Sequence, residues 1–388
     1  MVSKHHNPCF FLTPITSHTM NQVRTIVVGA GRPLKSMGWY HCAQILDGRV
    51  PSASLEAVVE PWYTTPAAAR VDADGYHAFA TWRKQLEAQG IGVYDKVADI
   101  PQTTKGDEKR LAILSARTAD NPALFADCLH HLDKCSTIFL EKPGAPTVAE
   151  LEDMQAAATA QGVKTFMGFN KNISAYLQRT RDFAATQKQA NVTFLHNNNY
   201  KTDELPECFE RNAEGMLKNM AIHELAILVT YYGVTVDTIA SVTADTAFSS
   251  CQTLIGPSSG ESFTDFDKLK FEIVTKAGQK AIVAADRCGG DDSVGIVTDS
   301  AGQEVARFVM PDEDAIANIP NLEAKYSGSM PYFFTQDPDY AKVKELVARF
   351  CVDGTPPSGV ATLQVAIDTL KVAEYLTPLL QKQLLTMR

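Results

Sequence analysis

The 388 residues contain no Cys-x-x-Cys pair, no internal repeat, no low-complexity tract and no surplus of basic charge. Nor does any apolar run reach the roughly 18 residues that a membrane-spanning helix needs. Each absence removes a class of protein. The eight cysteines, at positions 9, 42, 128, 135, 208, 251, 288 and 351, are scattered without regular spacing. Neither a disulfide framework nor a zinc site is expected, and the thiols read as reduced and packed in a cytoplasmic protein. A formal charge of −9 argues against nucleic acid or an anionic membrane as the main partner and leaves a small molecule. The first twenty residues carry no acid, and their apolar patch Cys9-Phe-Phe-Leu12 is broken at Pro14. Residues 1–20 are therefore expected to be a disordered extension, with a cleaved targeting peptide as the alternative.

With 45% hydrophobic and 21% charged residues, the chain has the composition of a folded globular protein. Its length favours about two domains. From Val23 the pattern reads strand, glycine turn, helix, strand: VRTIVV (Val23 to Val28), then Gly29-Ala-Gly31, a helix over Gly38 to Leu46, and a strand LEAVV ending before Glu60. A polar helix over Trp82 to Gly90 and a strand over Leu111 to Ser115 follow. Asn121 is the expected N-cap, and Pro122 the first position, of a helix running to about Asp133. Strands are expected again over Ser136 to Leu140 and Lys164 to Gly168, separated by a helix that the capping box Thr147-Val-Ala-Glu150 begins. Strands alternating with helices imply a doubly wound parallel sheet over residues 21–170. Residues 171–388 differ. Helices are expected over Tyr176 to Ala185, Met216 to Tyr231, Tyr340 to Phe350 and Gly359 to Leu380. Strand patterns dominate between Asn191 and Val309, some joined by hairpin turns such as Lys276-Ala-Gly-Gln279. The second domain is thus expected to be α+β, with a largely antiparallel sheet.

Three constellations carry chemistry. A strand running into Gly29-Ala-Gly31 and then a helix lets backbone amides approach a pyrophosphate. The third glycine of that pattern is displaced, since position 34 is Leu34 and the next glycine is Gly38. Glu60, at the end of the second strand, is placed to accept hydrogen bonds from an adenosine ribose; no arginine follows it closely, which favours NAD, while Arg32 and Lys35 keep NADP open. The stretch IFLEKPGAPT ends an apolar strand in Glu141 and Lys142, and ligands of parallel sheets bind outside such strand ends. Lys142 is therefore a candidate for proton transfer, its charge disfavoured beside an oxidised nicotinamide. Finally, Asn219 and His223 are four apart in an expected helix, which puts them on one face.

These residues resemble the Gfo/Idh/MocA oxidoreductases. The resemblance covers nearly all of the chain from about Val23. It rests on the GAG turn with a later Gly38-x-x-His41, on Glu141-Lys-Pro143, on Gly168-Phe-Asn170 and on the G-x-L-x-N-x-x-x-H segment from Gly215 to His223. It implies a Rossmann domain, a mixed second domain whose open sheet forms a homodimer or homotetramer interface, and hydride transfer between NAD(P) and a hydroxyl or carbonyl carbon of a sugar or polyol. The sequence departs from the family in having Asn219 and Ala226 where aspartates are usual. It also has Ala116-Arg-Thr118 for the usual T-P-N turn, with Asn121 at that turn's histidine position.

The resulting site has Lys142, His223 and Asn219 as catalytic candidates. Gly29, Gly31, Arg32, Gly38, Glu60, Ser115, Arg117, Asn121, Glu141, Lys142 and Asn170 are the cofactor side. Lys171, Tyr200, Asn219, His223 and Lys142 are expected against substrate, on a polar wall that also includes Asn172, Asn197 to Asn199, Lys201 and Tyr326. Either His223 or Lys142 accepts the hydroxyl proton in the oxidative direction. Two alternatives share the cofactor: a redox-neutral lyase or glycosidase holding NAD tightly, and a non-catalytic dinucleotide-binding sensor.

Overall fold

The computed structural model describes residues 21–103 and 109–385, so the expectation for residues 1–20 lies outside it. The first unit runs β1 (Val23–Val28), α1 (Met37–Leu46), β2 (Ala53–Val59), α2 (Pro66–Val71), α3 (Ala73–Ala88), β3 (Gly92–Tyr94), β4 (Arg110–Leu114), α4 (Asn121–His131), β5 (Cys135–Leu140), α5 (Val148–Ala160) and β6 (Lys164–Met167). Its six strands are parallel in the order β3-β2-β1-β4-β5-β6. This is the doubly wound order with its switch point between β1 and β4, where a ligand crevice opens at the carboxyl ends. The strands are buried on both faces, as their continuous apolar runs require: Val27, Ile113 and Phe139 pack one way, and Ile26, Val28, Ala112, Leu114 and Ile138 the other.

The second unit contains α6 (Ala175–Thr186), β7 (Asn191–Asn197), α7 (Leu205–Arg211), α8 (Met216–Asn219), α9 (Ile222–Tyr232), β8 (Ile239–Ala244), β9 (Ser250–Ile255), β10 (Ser262–Thr275), β11 (Lys280–Asp286), β12 (Ser293–Thr298), β13 (Glu304–Met310), α10 (Glu313–Lys325), α11 (Pro331–Thr335), α12 (Asp337–Asp353) and α13 (Leu363–Leu385). Its sheet, in the order β13-β12-β7-β11-β10-β8 with β9 beside β10, is antiparallel except for the β7–β11 pair. The chain beyond Asn170 does not stay with this sheet. Helix α12 returns to the first one, burying Val343, Val347, Ala348 and Cys351 against the face that holds Val27 and Phe139. Helix α13 serves both units, placing Leu363, Ile367 and Leu370 in the first core and Val372, Leu376 and Leu380 in the second. No helix among the described residues is long and apolar enough to cross a membrane.

Several local expectations are corrected. The N-cap of α4 is Asp120, and Asn121 is instead the first helical residue, its Nδ2 donating to the Gly144 carbonyl (2.9 Å). The polar helix starts nine residues earlier than expected, at Ala73, because Asp72 caps it by accepting from the Gly75 amide. The segment from Met216 to Tyr231 is not one helix. The Ala221 amide reaches back five residues to the Met216 carbonyl (2.9 Å), and this widened turn separates α8 from α9. Asn219 and His223 therefore do not share a helix face. Thr147 and Glu150 do form the reciprocal capping box that starts α5.

Candidate active site

The turn after β1 needs its glycines for two reasons. Gly29 (φ +81°) and Gly31 (φ +70°) are in the left-handed region that side chains disfavour. A Cβ on Gly29 would also fall 2.7 Å from the backbone of Ala116. Gly38 supplies the close helix-to-strand contact, because a Cβ there would lie 2.2 Å from the Gly29 carbonyl oxygen. The displaced third glycine thus keeps its packing role, and the longer loop is absorbed with Leu34 at φ +67°. Glu60, only 3% exposed, curls under the turn. It accepts from the amides of Gly31 (2.5 Å), Trp62 (2.8 Å) and Tyr63 (3.2 Å). Both loop cations are engaged: Arg32 pairs with Asp72, and Lys35 Nζ donates to the Gly328 carbonyl (2.7 Å).

The carboxyl ends of β4, β5 and β6 deliver Ser115, Ala116, Glu141, Lys142 and Gly168 to one wall of a cavity of about 540 Å³. Gly168 leaves room for the Glu141 carboxylate, which a Cβ there would meet at 2.8 Å and displace. That carboxylate ends a buried chain of polar groups. Lys344 Nζ, on α12, donates to the Tyr340 carbonyl (2.6 Å) and lies 2.9 Å from His41 Nδ1, while His41 Nε2 lies 3.0 Å from Glu141 Oε1. With the amine donating to Nδ1, the imidazole proton is on Nε2 and points at the carboxylate. Burial pushes the His41 pKa down to about 4, helped by the Lys344 charge, so the ring is neutral. A cis peptide joins Lys142 to Pro143, and the Lys142 Nζ is 3.5 Å from the Asn219 carbonyl. Burial lowers its pKa from the ordinary lysine value, against the opposing pull of Glu141, Glu214 and Glu224.

Helix α9, β7 and the turn after β6 build the facing wall. Glu224 is fully buried; it accepts from Lys171 Nζ (2.7 Å), and its other oxygen lies 3.1 Å from His196 Nδ1. Burial alone would raise its pKa, but Lys171 and His196 hold the carboxyl well below the usual range, so it stays ionised. His223 lies beside this cluster with its ring 6.3 Å from that of His196, and its buried Nδ1 has no hydrogen-bond partner among the described residues. Burial, then the charges of Lys142 and Lys171, drive its pKa well below the ordinary histidine value.

The structure brings Ser115, Glu141, Lys142, Lys171, Asn197 to Tyr200, Asn219 and His223 to this one cavity. It does not bring Arg117, whose side chain is 83% exposed and paired with Asp120. Nor does it bring Asn121 and Asn170, which are buried in the frame, Asn170 donating to Gln336 (3.0 Å). Asn172 is turned to Thr230, Lys201 is exposed, and Tyr326 bonds Asp47 in an aromatic cluster with Trp39 and Tyr40. The Asn219 amide donates to Glu214 (2.7 Å). Sequence reasoning passed over Glu224, His196 as a single residue, and Lys344. Glu224 alone had a legible signal, as a lone acid within the apolar run Ala-Ile-His-Glu-Leu-Ala-Ile-Leu.

No family model and no curated protein matches the sequence. Solved structures do match the fold over nearly its whole length. Scyllo-inositol dehydrogenase from Lactobacillus casei, with bound NAD(H) and scyllo-inositol, superposes with a TM-score of 0.63 at 13% identity, covering 94% of this chain and 98% of that one. Myo-inositol dehydrogenase from Corynebacterium glutamicum gives 0.62 at 16% identity (95% and 98%). Myo-inositol dehydrogenase from L. casei, in complex with NAD(H) and myo-inositol, gives 0.60 at 16% identity (93% and 95%). The chain therefore has the two-domain fold of these dehydrogenases, a Rossmann-type parallel sheet plus a mixed, mostly antiparallel one, as the Gfo/Idh/MocA resemblance implies. Its residues also fit a dinucleotide. The turn at Gly29 to Gly31 carries no side chain larger than the Ala30 methyl and leads through a short loop to the ten-residue helix α1, Glu60 lies beneath it, and the strand ends open onto the cavity.

Proposed function

We propose that the protein is an NAD(P)-dependent oxidoreductase acting on a CH–OH or C=O carbon of a small polar molecule, a polyol or sugar. A single observation supports this most: Lys142, delivered by the end of β5, shares a cavity with His223 beside a glycine turn suited to a dinucleotide. The nicotinamide supplies or takes the hydride when bound, and the chain's own residues manage the proton. Burial separates the two proton-transfer candidates. His223 is held neutral far below its ordinary pKa and is a poor acceptor, whereas a lysine whose pKa is lowered comes closer to working pH. Lys142 in its neutral form takes the hydroxyl proton in oxidation and returns it in reduction. His223 hydrogen-bonds a substrate hydroxyl, and Lys171 with the Asn197 to Tyr200 segment lines the polyol side. Val305 and Val309, exposed on β13, fit the expected homodimer or homotetramer face, which size-exclusion chromatography tests.

The direct test follows NAD(P)H absorbance across a panel of inositols, sugars and other polyols. On a substrate so found, Lys142→Arg keeps a cation that cannot deprotonate and should lose about 10²- to 10⁴-fold in kcat. Unchanged turnover would remove Lys142 from the chemistry. Because Lys142 must be neutral to oxidise, the wild-type oxidation rate should rise with pH through a pKa below 10.5.

A further inference from the structure

We propose that Asp72 makes the cofactor site select NAD over its 2′-phosphorylated form. The inference rests on the dinucleotide reading above and extends it to a residue outside the turn and outside the cavity. The adenosine ribose of a doubly wound dinucleotide site lies at the end of β2, which here is Glu60 beneath the Gly31 amide. An arginine nearby is the usual receptor for a 2′-phosphate. Arg32, immediately after Gly31, supplies one by sequence.

The structure takes that arginine out of service. Its Nη1 lies 3.0 and 3.2 Å from the two oxygens of Asp72. With 36% of the Arg32 side chain exposed, the pair alone would be a weak restraint, one that a phosphate would break. Asp72, however, is fixed independently of Arg32. Its Oδ1 accepts from the Gly75 amide (3.0 Å) at the start of α3, and its Oδ2 accepts from the Tyr63 hydroxyl (2.9 Å). The Gly75 amide, with Tyr63 and Arg32, holds its pKa below the usual carboxylate value, so the charge persists at neutral pH. Tyr63 in turn donates its backbone amide to Glu60 (3.2 Å), which ties the two carboxylates into one frame. If Arg32 swings toward a phosphate, Asp72 keeps its place through the Gly75 amide and the Tyr63 hydroxyl and loses the Arg32 charge that balances it. A 2′-phosphate then faces the Glu60 carboxylate and a second one tied to it through Tyr63, whereas a ribose hydroxyl faces Glu60 as an acceptor.

The test is Asp72→Asn in the full-length protein. Asparagine caps a helix as well as aspartate does, so α3 keeps its acceptor while the charge is lost and Arg32 is freed. Dissociation constants for NADH and NADPH are read by quenching of tryptophan fluorescence, without any turnover, and a thermal melt by circular dichroism confirms the fold. Wild type should bind NADH at least about tenfold tighter than NADPH, and Asp72→Asn should narrow that ratio by about tenfold through NADPH alone. Adding Arg32→Ala to Asp72→Asn should erase the gain. An unchanged ratio in a folded Asp72→Asn, or a wild type that prefers NADPH, overturns the selection by Asp72 and leaves the oxidoreductase reading standing. A wild type that binds neither dinucleotide overturns both.

Discussion

Across the cavity, the wall made by β4, β5 and β6 and the wall made by α9, β7 and the turn after β6 position charged groups by opposite means. On the first, Glu141 and Lys142 are adjacent residues leaving a strand, and parallel register with β4 and β6 fixes where they emerge. The Glu141 side chain is 13% exposed, and its buried partner His41 is neutral. On the second, Lys171 and Glu224 are far apart in sequence, and Glu224 is fully buried against a lysine only 1% exposed. The first wall depends on backbone register to place its charges. The second depends on charge balance, because a buried ion without its partner has neither water nor protein to solvate it.

The strongest way to break this contrast is to remove one charge from each wall. Glu224→Gln should destabilise the protein by about 3–5 kcal/mol, since it leaves the Lys171 amine buried and uncompensated. Glu141→Gln keeps a hydrogen-bond acceptor for His41 on a group that reaches solvent, and should cost about 1 kcal/mol or less. Denaturant unfolding of both variants decides the matter. Equal losses would mean that the walls are not held differently.

A smaller effect sharpens the comparison by pH. Buried His41, facing Lys344 and Glu141, has its folded pKa pushed down to about 4, and His196 and His223 on the other wall are lowered as well. Between about pH 6.5 and pH 4 the unfolded chain binds more protons than the folded one. The His41 contribution to stability is therefore complete above pH 6.5 and drains away as the pH falls toward 4, at about 1.4 kcal/mol per pH unit, and His196 and His223 act in the same direction. His41→Gln should make the slope of unfolding free energy against pH shallower by about that amount, with the other wall's share remaining. An unaltered slope would show that His41 is not neutral in the folded state.

How much could be read beforehand follows the same division. The bounds of β1, the Thr147 capping box and the emergence of Glu141-Lys142 at a strand end were legible because each depends on neighbours within a few residues. Gly38 was found out of register with the usual glycine pattern, and only the close approach to the Gly29 carbonyl explains why it must be glycine. The Lys171–Glu224 pair spans 53 positions and His41–Lys344 spans 303, so nothing in local pattern joins them. The break between α8 and α9 carries no proline or glycine at Met220-Ala221, and a helix propensity that favours continuation loses there to tertiary packing. Lys142 is legible as a site residue from its place at a strand end and His223 from the G-x-L-x-N-x-x-x-H segment; the reason each holds an unusual pKa, burial among the other charges, is visible only in three dimensions.

That break also sets the smallest prediction. Were α8 and α9 one helix, the Asn219 side chain would lie one turn from His223 and its loss would disturb the proton-handling pair. Instead its amide is committed to Glu214 at 2.7 Å, and what Asn219 offers Lys142 is its main-chain carbonyl. Asn219→Ala keeps that carbonyl, relinquishes one solvent-exposed hydrogen bond and should change kcat by less than about threefold, under 1 kcal/mol. Asn219→Asp should do more, since it sets a second carboxylate against Glu214 at the position where the resembling family usually carries one. Steady-state rates for the two variants on the substrate found by absorbance distinguish the cases: a hundredfold loss in the alanine variant would put the Asn219 side chain on the substrate and restore the pairing with His223 that an unbroken helix implies.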